Sequence, residues 1–244
     1  MQELAILPDY ERLDGAVPVL YPTGMEDRAR ELCSLLETGT QELSEILKVG
    51  PPELQALLVA AEDWREAPRD NSHPYPQGLP YFTRSVTPPA LVLPEELSPV
   101  FQPRTEALRP LISWHELAHA FLLQREMVRT PAWMREFVPQ TAAVAMARRA
   151  GLPLADHLSQ IDEPGFTVRE FGVRSDAEEQ MAFQNLLLLF GNATLEKFGG
   201  GFLGKLVRTL WDKEDVVDEE RAEELLADAL GTGGREWLRS RSEF

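Results

Sequence analysis

Cysteine is nearly absent. The single thiol, Cys33, has no second cysteine to pair with in the chain. It falls on an apolar stripe with Ala29, Leu32 and Leu36, which reads as packing and not as a nucleophile. No apolar run approaches the ~20 residues that a bilayer-crossing helix needs, so no membrane partner is expected. Met1 to Asp14 has neither a basic region nor a sustained apolar stretch, so no signal peptide is read there and cytoplasmic residence is the expectation. Positive charge is also scarce. The 24 Lys and Arg residues face 40 Asp and Glu, a net charge of −16. A polyanion would repel such a surface, which argues against nonspecific nucleic-acid binding. Lysine is rare beside arginine, no tyrosine follows Tyr81, and there are four histidines. No repeat with a period of roughly 20–50 residues is present.

What is there centres on two of those histidines. His115-Glu116-Leu117-Ala118-His119 places two imidazoles four residues apart among uncharged neighbours: Trp114, Leu117, Ala118, Ala120 and Phe121. On an α-helix, positions i and i+4 share a face, about 6 Å apart along the axis. Two imidazoles so placed can converge on one zinc ion at Zn–N distances of about 2.0–2.1 Å. Glu116 is rotated off that line but stays beside the metal, where a carboxylate can take a proton from water. The bland alternative is a pair of surface histidines with a solvated glutamate between them, and the apolar flanks speak against it.

A catalytic zinc site usually has three protein ligands and one open position. Glu126 shares the helix face but stands about 10 Å further along the axis, too far to reach the same ion. Glu136 is the better third ligand. It follows Thr130-Pro131-Ala132-Trp133, which reads as a helix start with Thr130 as N-cap and Pro131 in the first turn. The apolar run through Ala142, Ala143, Val144 and Ala147 continues that helix to Gly151-Leu152-Pro153. Pro139 inside the run is expected to kink or interrupt it. A turn after about Met127 would lay this helix alongside the first.

At this point the residues carry a resemblance. His115-Glu-Leu-Ala-His119, followed after sixteen residues by Glu136 in Pro-Ala-Trp-Met-Arg-Glu, resembles the gluzincin metallopeptidases. It is most similar to the compact bacterial peptidase MA-like zincins with a thermolysin-like catalytic domain. Tyr21-Pro22-Thr23-Gly24-Met25-Glu26 with the following helix is similar to that family's amino-terminal half. Leu195-Glu196-Lys197-Phe198-Gly199 is similar to its helical carboxy-terminal half. The resemblance spans most of the chain, but only the two zinc motifs are specific. It implies His115, His119 and Glu136 as ligands of Zn2+, Glu116 as general base, and a peptide or protein as substrate.

Three departures from the family pattern stand out. Phe137 follows the third ligand where many relatives have glycine, and Gln140 stands where an orienting aspartate is common. Relatives also place a tyrosine late in the helical half as oxyanion donor; here Phe183 and Gln184 lie near that place. An absent donor of this kind typically costs about 10²–10³ in rate. The sequence offers His157, Arg169 and Arg174 as donors past the ligands, and Tyr75 and Tyr81 before them. His157 is carried forward as a candidate catalytic residue; its bland reading is a partly exposed helix residue.

The remaining pattern is that of one α+β zincin-like catalytic domain. Residues 1–130 would form a small mixed sheet with the active-site helix, and 131–244 a helical subdomain. Strands are expected at Val17–Tyr21, Glu53–Ala61, Tyr81–Val86 and Ala90–Leu93. A helix is expected at Glu26–Leu47 and the zinc helix at Pro103–Met127. Arg65–Pro80 is a polar, proline-rich loop. The resemblance implies an edge strand beside the substrate, either Tyr81–Val86 or Ala90–Leu93, which an extended peptide could join. Later helices are read at Ala177–Leu189 and Asp215–Leu230, the second with a solvated acidic face. Gly199-Gly-Gly-Phe-Leu-Gly204-Lys205 imitates a phosphate-binding loop, but Leu206 replaces its Ser or Thr and a helix precedes it, so it reads as a break between helices. Asn192-Ala193-Thr194 is a glycosylation sequon without an export signal to give it meaning.

The reading that follows is a zinc-dependent peptidase. The alternative is a weakly active or inactive zincin-like protein that binds peptides or proteins. A purely structural zinc site fails on ligand count, because closed sites usually take four ligands rich in cysteine.

Overall fold

The computed structural model describes residues 2–3, 10–70, 78–98, 105–125, 129–159, 161, 165–172, 177–213 and 215–244. The chain divides into two compact units. Met1–Glu42 with Gly50–Phe121 makes the first, and Leu43–Val49 with Leu122–Phe244 the second.

The first unit is built on a mixed sheet. Strands β1 (Gln2–Glu3), β2 (Tyr10–Leu13), β3 (Val19–Pro22), β4 (Gln55–Val59), β5 (Tyr81–Thr83), β6 (Val86–Thr87) and β7 (Ala90–Pro94) occur in chain order. Five of them form a sheet ordered β2-β3-β4-β7-β5, while β1 pairs with β6. The three inner strands are parallel to one another, and the outer two run antiparallel to their neighbours. A parallel pair needs a long crossover. Helix α1 (Glu26–Leu47) supplies it between β3 and β4. Every residue of β4 and β7 is buried, as expected of central parallel strands covered on both faces. The buried Gln55 side chain is satisfied by donating to the Pro88 carbonyl at 2.9 Å. β7 is interior and β5 lies at the edge, which decides between the two edge candidates that the sequence left open. Residues 71–77 of the expected loop, with Tyr75, lie outside the described residues.

Cys33 is half-buried on α1, and a Cβ added at Gly15 would collide with its sulfur. Burial pushes the thiol pKa up, which disfavours the thiolate and bears out the packing reading. Helix α2 (Thr105–Leu122) carries the paired histidines. It approaches α1 at Gly39, where an added Cβ would lie 2.8 Å from the Trp114 ring and 2.9 Å from Leu117. The Trp114 indole donates to the Leu35 carbonyl at 3.3 Å. Small residue against large side chains is what lets these two helices close up in the first unit.

The second unit is helical. It contains α3 (Ala132–Arg149), α4 (Leu154–Leu158), α5 (Ala177–Phe198), α6 (Gly201–Trp211), α7 (Glu219–Leu230) and α8 (Gly234–Arg239). Two expectations about α3 are corrected. The helix runs through Pro139 without interruption. A proline forfeits one backbone hydrogen bond, but residues 137–144 are all buried, and their packing keeps the helix intact. The N-cap is Pro131 and not Thr130. Thr130 is buried, and its hydroxyl makes no hydrogen bond among the described residues.

Helices α3 and α5 pack closely where Gly191 faces Thr141, and a Cβ at Gly191 would lie 2.7 Å from the Thr141 hydroxyl. The glycine-rich stretch does separate helices. Gly199 takes a positive φ of 69° after α5, and α6 begins at Gly201. Helix α7 starts four residues later than expected because Asp218 caps it, accepting from the Arg221 N–H at 2.8 Å. No helix among the described residues is long and apolar enough to cross a membrane.

Candidate metal centre

The centre starts from one face of α2. Trp114, Leu117 and Ala118 are buried and fix the rotation of the helix within its unit. That rotation leaves His115 only 8% exposed and His119 half-buried. The two Nε2 atoms stand 3.1 Å apart, and the ring planes cross at 75° with centroids 4.8 Å apart. Zn–N bonds of about 2.0–2.1 Å at a near-tetrahedral angle put two nitrogens roughly 3.3 Å apart. The spacing therefore fits two ligands of one ion, and it also fits an N–H···N hydrogen bond between complementary tautomers. Glu116, between them in sequence, is half-buried. Leu122 closes the helix, and its carbonyl accepts from the Trp211 indole at 2.9 Å in the second unit.

Glu136 sits in the second turn of α3 and is half-buried. Its Oε2 accepts from the Gln184 amide of α5 at 3.3 Å. His115, His119 and Glu136 are a possible His-His-Glu group for a metal ion. Among the described residues no other cluster of three such side chains could hold one. Two imidazoles and one carboxylate are the donor set of a catalytic zinc site, with one position left for water.

His157 is half-buried on the short helix α4. Tyr81 is buried in β5, where its hydroxyl donates to the Pro68 carbonyl at 2.9 Å. Desolvation pushes its pKa up to about 12. Arg169 pairs with Glu223 and lies 4.5 Å over the Phe244 ring. Glu126, Tyr75 and Arg174 lie outside the described residues.

Phe137, a departure from the family pattern, is fully buried and packs against Trp133, Phe190 and Phe202. It is a core residue of the helical unit. Gln140 is likewise buried. The contact that sequence reasoning missed is Gln184 on Glu136. These residues are 48 positions apart, and no periodicity links them.

No family model and no curated protein matches the sequence. Solved structures do resemble it. The M1 zinc metallopeptidase from Deinococcus radiodurans superposes with a TM-score of 0.53 at 19% identity, over 96% of this chain and 49% of that one. Yeast LTA4 hydrolase gives 0.53 at 13% identity in complex with bestatin, and 0.52 at 12% in its native form. Each yeast match covers 96% of this chain and 38% of the other. The chain thus spans less than half the length of these proteins. At such identities the likeness is one of fold, and the mixed α+β architecture of this chain is the one it shares with them.

Proposed function

We propose that this chain is a zinc-dependent peptidase in which His115, His119 and Glu136 hold the ion and Glu116 is the general base. The observation that carries the reading is the 3.1 Å approach of two imidazole nitrogens on one helix face. A possible His-His-Glu group with Glu136 supports it, as does a fold shared with zinc metallopeptidases.

A bound zinc would supply Lewis acidity, lowering the pKa of a water in its open position toward ~7 and polarising a substrate carbonyl. The chain's own residues do the rest. Glu116 takes the proton of the attacking water and delivers it to the departing amine nitrogen as the C–N bond breaks. His115 and His119 keep their Nε2 lone pairs for the ion, so neither acts as the base. A donor for the developing oxyanion is still required. The candidates the sequence offers for it are His157, Arg169, Arg174, Tyr75 and Tyr81.

Digestion of a peptide library with and without a chelator tests the reading. Cleavage that the chelator abolishes and Glu116→Gln loses by ~10²–10⁴-fold, with zinc content unchanged, is the expected result. Undiminished turnover in Glu116→Gln would refute the assigned base. Zinc binding without any cleavage would leave a peptide-binding module.

A further inference from the structure

We infer that Gln184 is a positioning residue that holds Glu136 in its ligating orientation, an inference that rests on the metal-site reading above. The Gln184 Nε2 donates to Glu136 Oε2 at 3.3 Å. The amide cannot be the other way round, because its oxygen would then face a carboxylate oxygen. A glutamate has three side-chain torsions, so fixing one oxygen removes much of the freedom that ligation would otherwise have to freeze.

The rest of the amide points to the same role. Gln184 Oε1 is buried and has no hydrogen-bond partner among the described residues. An unpartnered buried carbonyl costs stability.

The donor is also rigidly mounted. Its neighbour Phe183 is buried, stacked on Phe166 at 3.9 Å and edge-on to Phe171 at 5.5 Å. Further along, Thr141 and Gly191 lock α3 against α5. Contacts between the two helices advance together, from Glu136–Gln184 to Thr141–Gly191 to Arg148–Glu196. The helices therefore run in the same direction, and the donor and carboxylate ride on a fixed pair. Outer partners of this kind typically change metal affinity by ~10–100-fold when removed.

The test is zinc affinity by chelator competition on the full chain, beside the melting temperature of the metal-free protein. Gln184→Leu and Gln184→Met both remove the donor; the second keeps side-chain length if the first fails to fold. The expected result is zinc affinity lower by ~10–100-fold with an unchanged or raised metal-free melting temperature. Wild-type binding matched by both variants overturns the inference and leaves the metal site standing. Affinity lost only in step with the metal-free melting temperature, in both variants, also overturns it and marks Gln184 as structural. A wild-type chain that takes up no zinc overturns the metal-site reading itself, and the inference falls with it.

Discussion

Replacing Gly191 with alanine tests the helix pair on which Glu136 and Gln184 are mounted. The new Cβ would stand 2.7 Å from the Thr141 hydroxyl, 3.3 Å from its Cα and 3.4 Å from its Cβ. The first distance is far inside van der Waals contact, and the second is to a helix backbone atom that cannot yield alone. Overpacking of this kind costs about 1–3 kcal/mol. Alanine in a helix interior returns up to ~1 kcal/mol relative to glycine. The net expectation is a loss of up to roughly 2 kcal/mol, or up to about 8 °C in melting temperature for a chain of this size. The decisive comparison is made in a Thr141→Ala background. The Thr141 hydroxyl is buried and makes no hydrogen bond among the described residues, so its removal leaves no partner stranded. With it gone, the closest obstacle disappears, and Gly191→Ala should cost about 1 kcal/mol less than it does opposite threonine. Urea unfolding of the four proteins measures the difference. Equal penalties in both backgrounds, within ~0.3 kcal/mol, would refute the close approach.

The remaining expectations concern the titrating and hydrogen-bonding side chains. Tyr81 and Tyr10 both have pKa values pushed up to about 12 from 10.0, chiefly by desolvation. A folded-state pKa above the unfolded one favours the protonated fold, so this stabilisation is complete below pH ~10 and is lost as pH rises through ~12. Tyr81→Phe should flatten the alkaline decline of the urea midpoint; the same decline as wild type would contradict the assignment. The same variant should keep full turnover, because its hydroxyl serves Pro68, and a fall of ~10²-fold would instead make Tyr81 the oxyanion donor. His157→Ala separates the two readings of that residue: a kcat loss of ~10²-fold with KM and zinc content intact is expected of an oxyanion donor, and unchanged kcat identifies an ordinary residue of α4.

Much of the architecture was legible because periodicity reports burial. Helix α1 occupies the Glu26–Leu47 span that its apolar stripe predicts. The buried strands β4 and β7 announce themselves as short β-branched and leucine runs. The histidine pair was legible for a related reason, since four residues on a helix is a fixed geometry. Features set by tertiary packing were not. Pro139 reads locally as a breaker, yet the helix around it is held by buried neighbours on every side. Phe137 looks like a departure from a site motif but belongs to an aromatic core built with Phe190 and Phe202. The Gln184 contact joins two helices distant in sequence, so only the folded chain brings its donor to Glu136. Strands β1 and β2 were missed because neither carries an apolar run, and β2, at a sheet edge, has two exposed residues between half-buried ends.

The lone thiol has a practical consequence. Cys33 lies against Gly15, half-sheltered and with its ionisation disfavoured. Any thiol-specific reagent can therefore attach at one address only. That address opens fully when α1 separates from the segment holding Gly15. Nature has thus supplied this chain with a built-in tag whose rate of labelling times the loosening of its amino-terminal unit, with no engineered reporter.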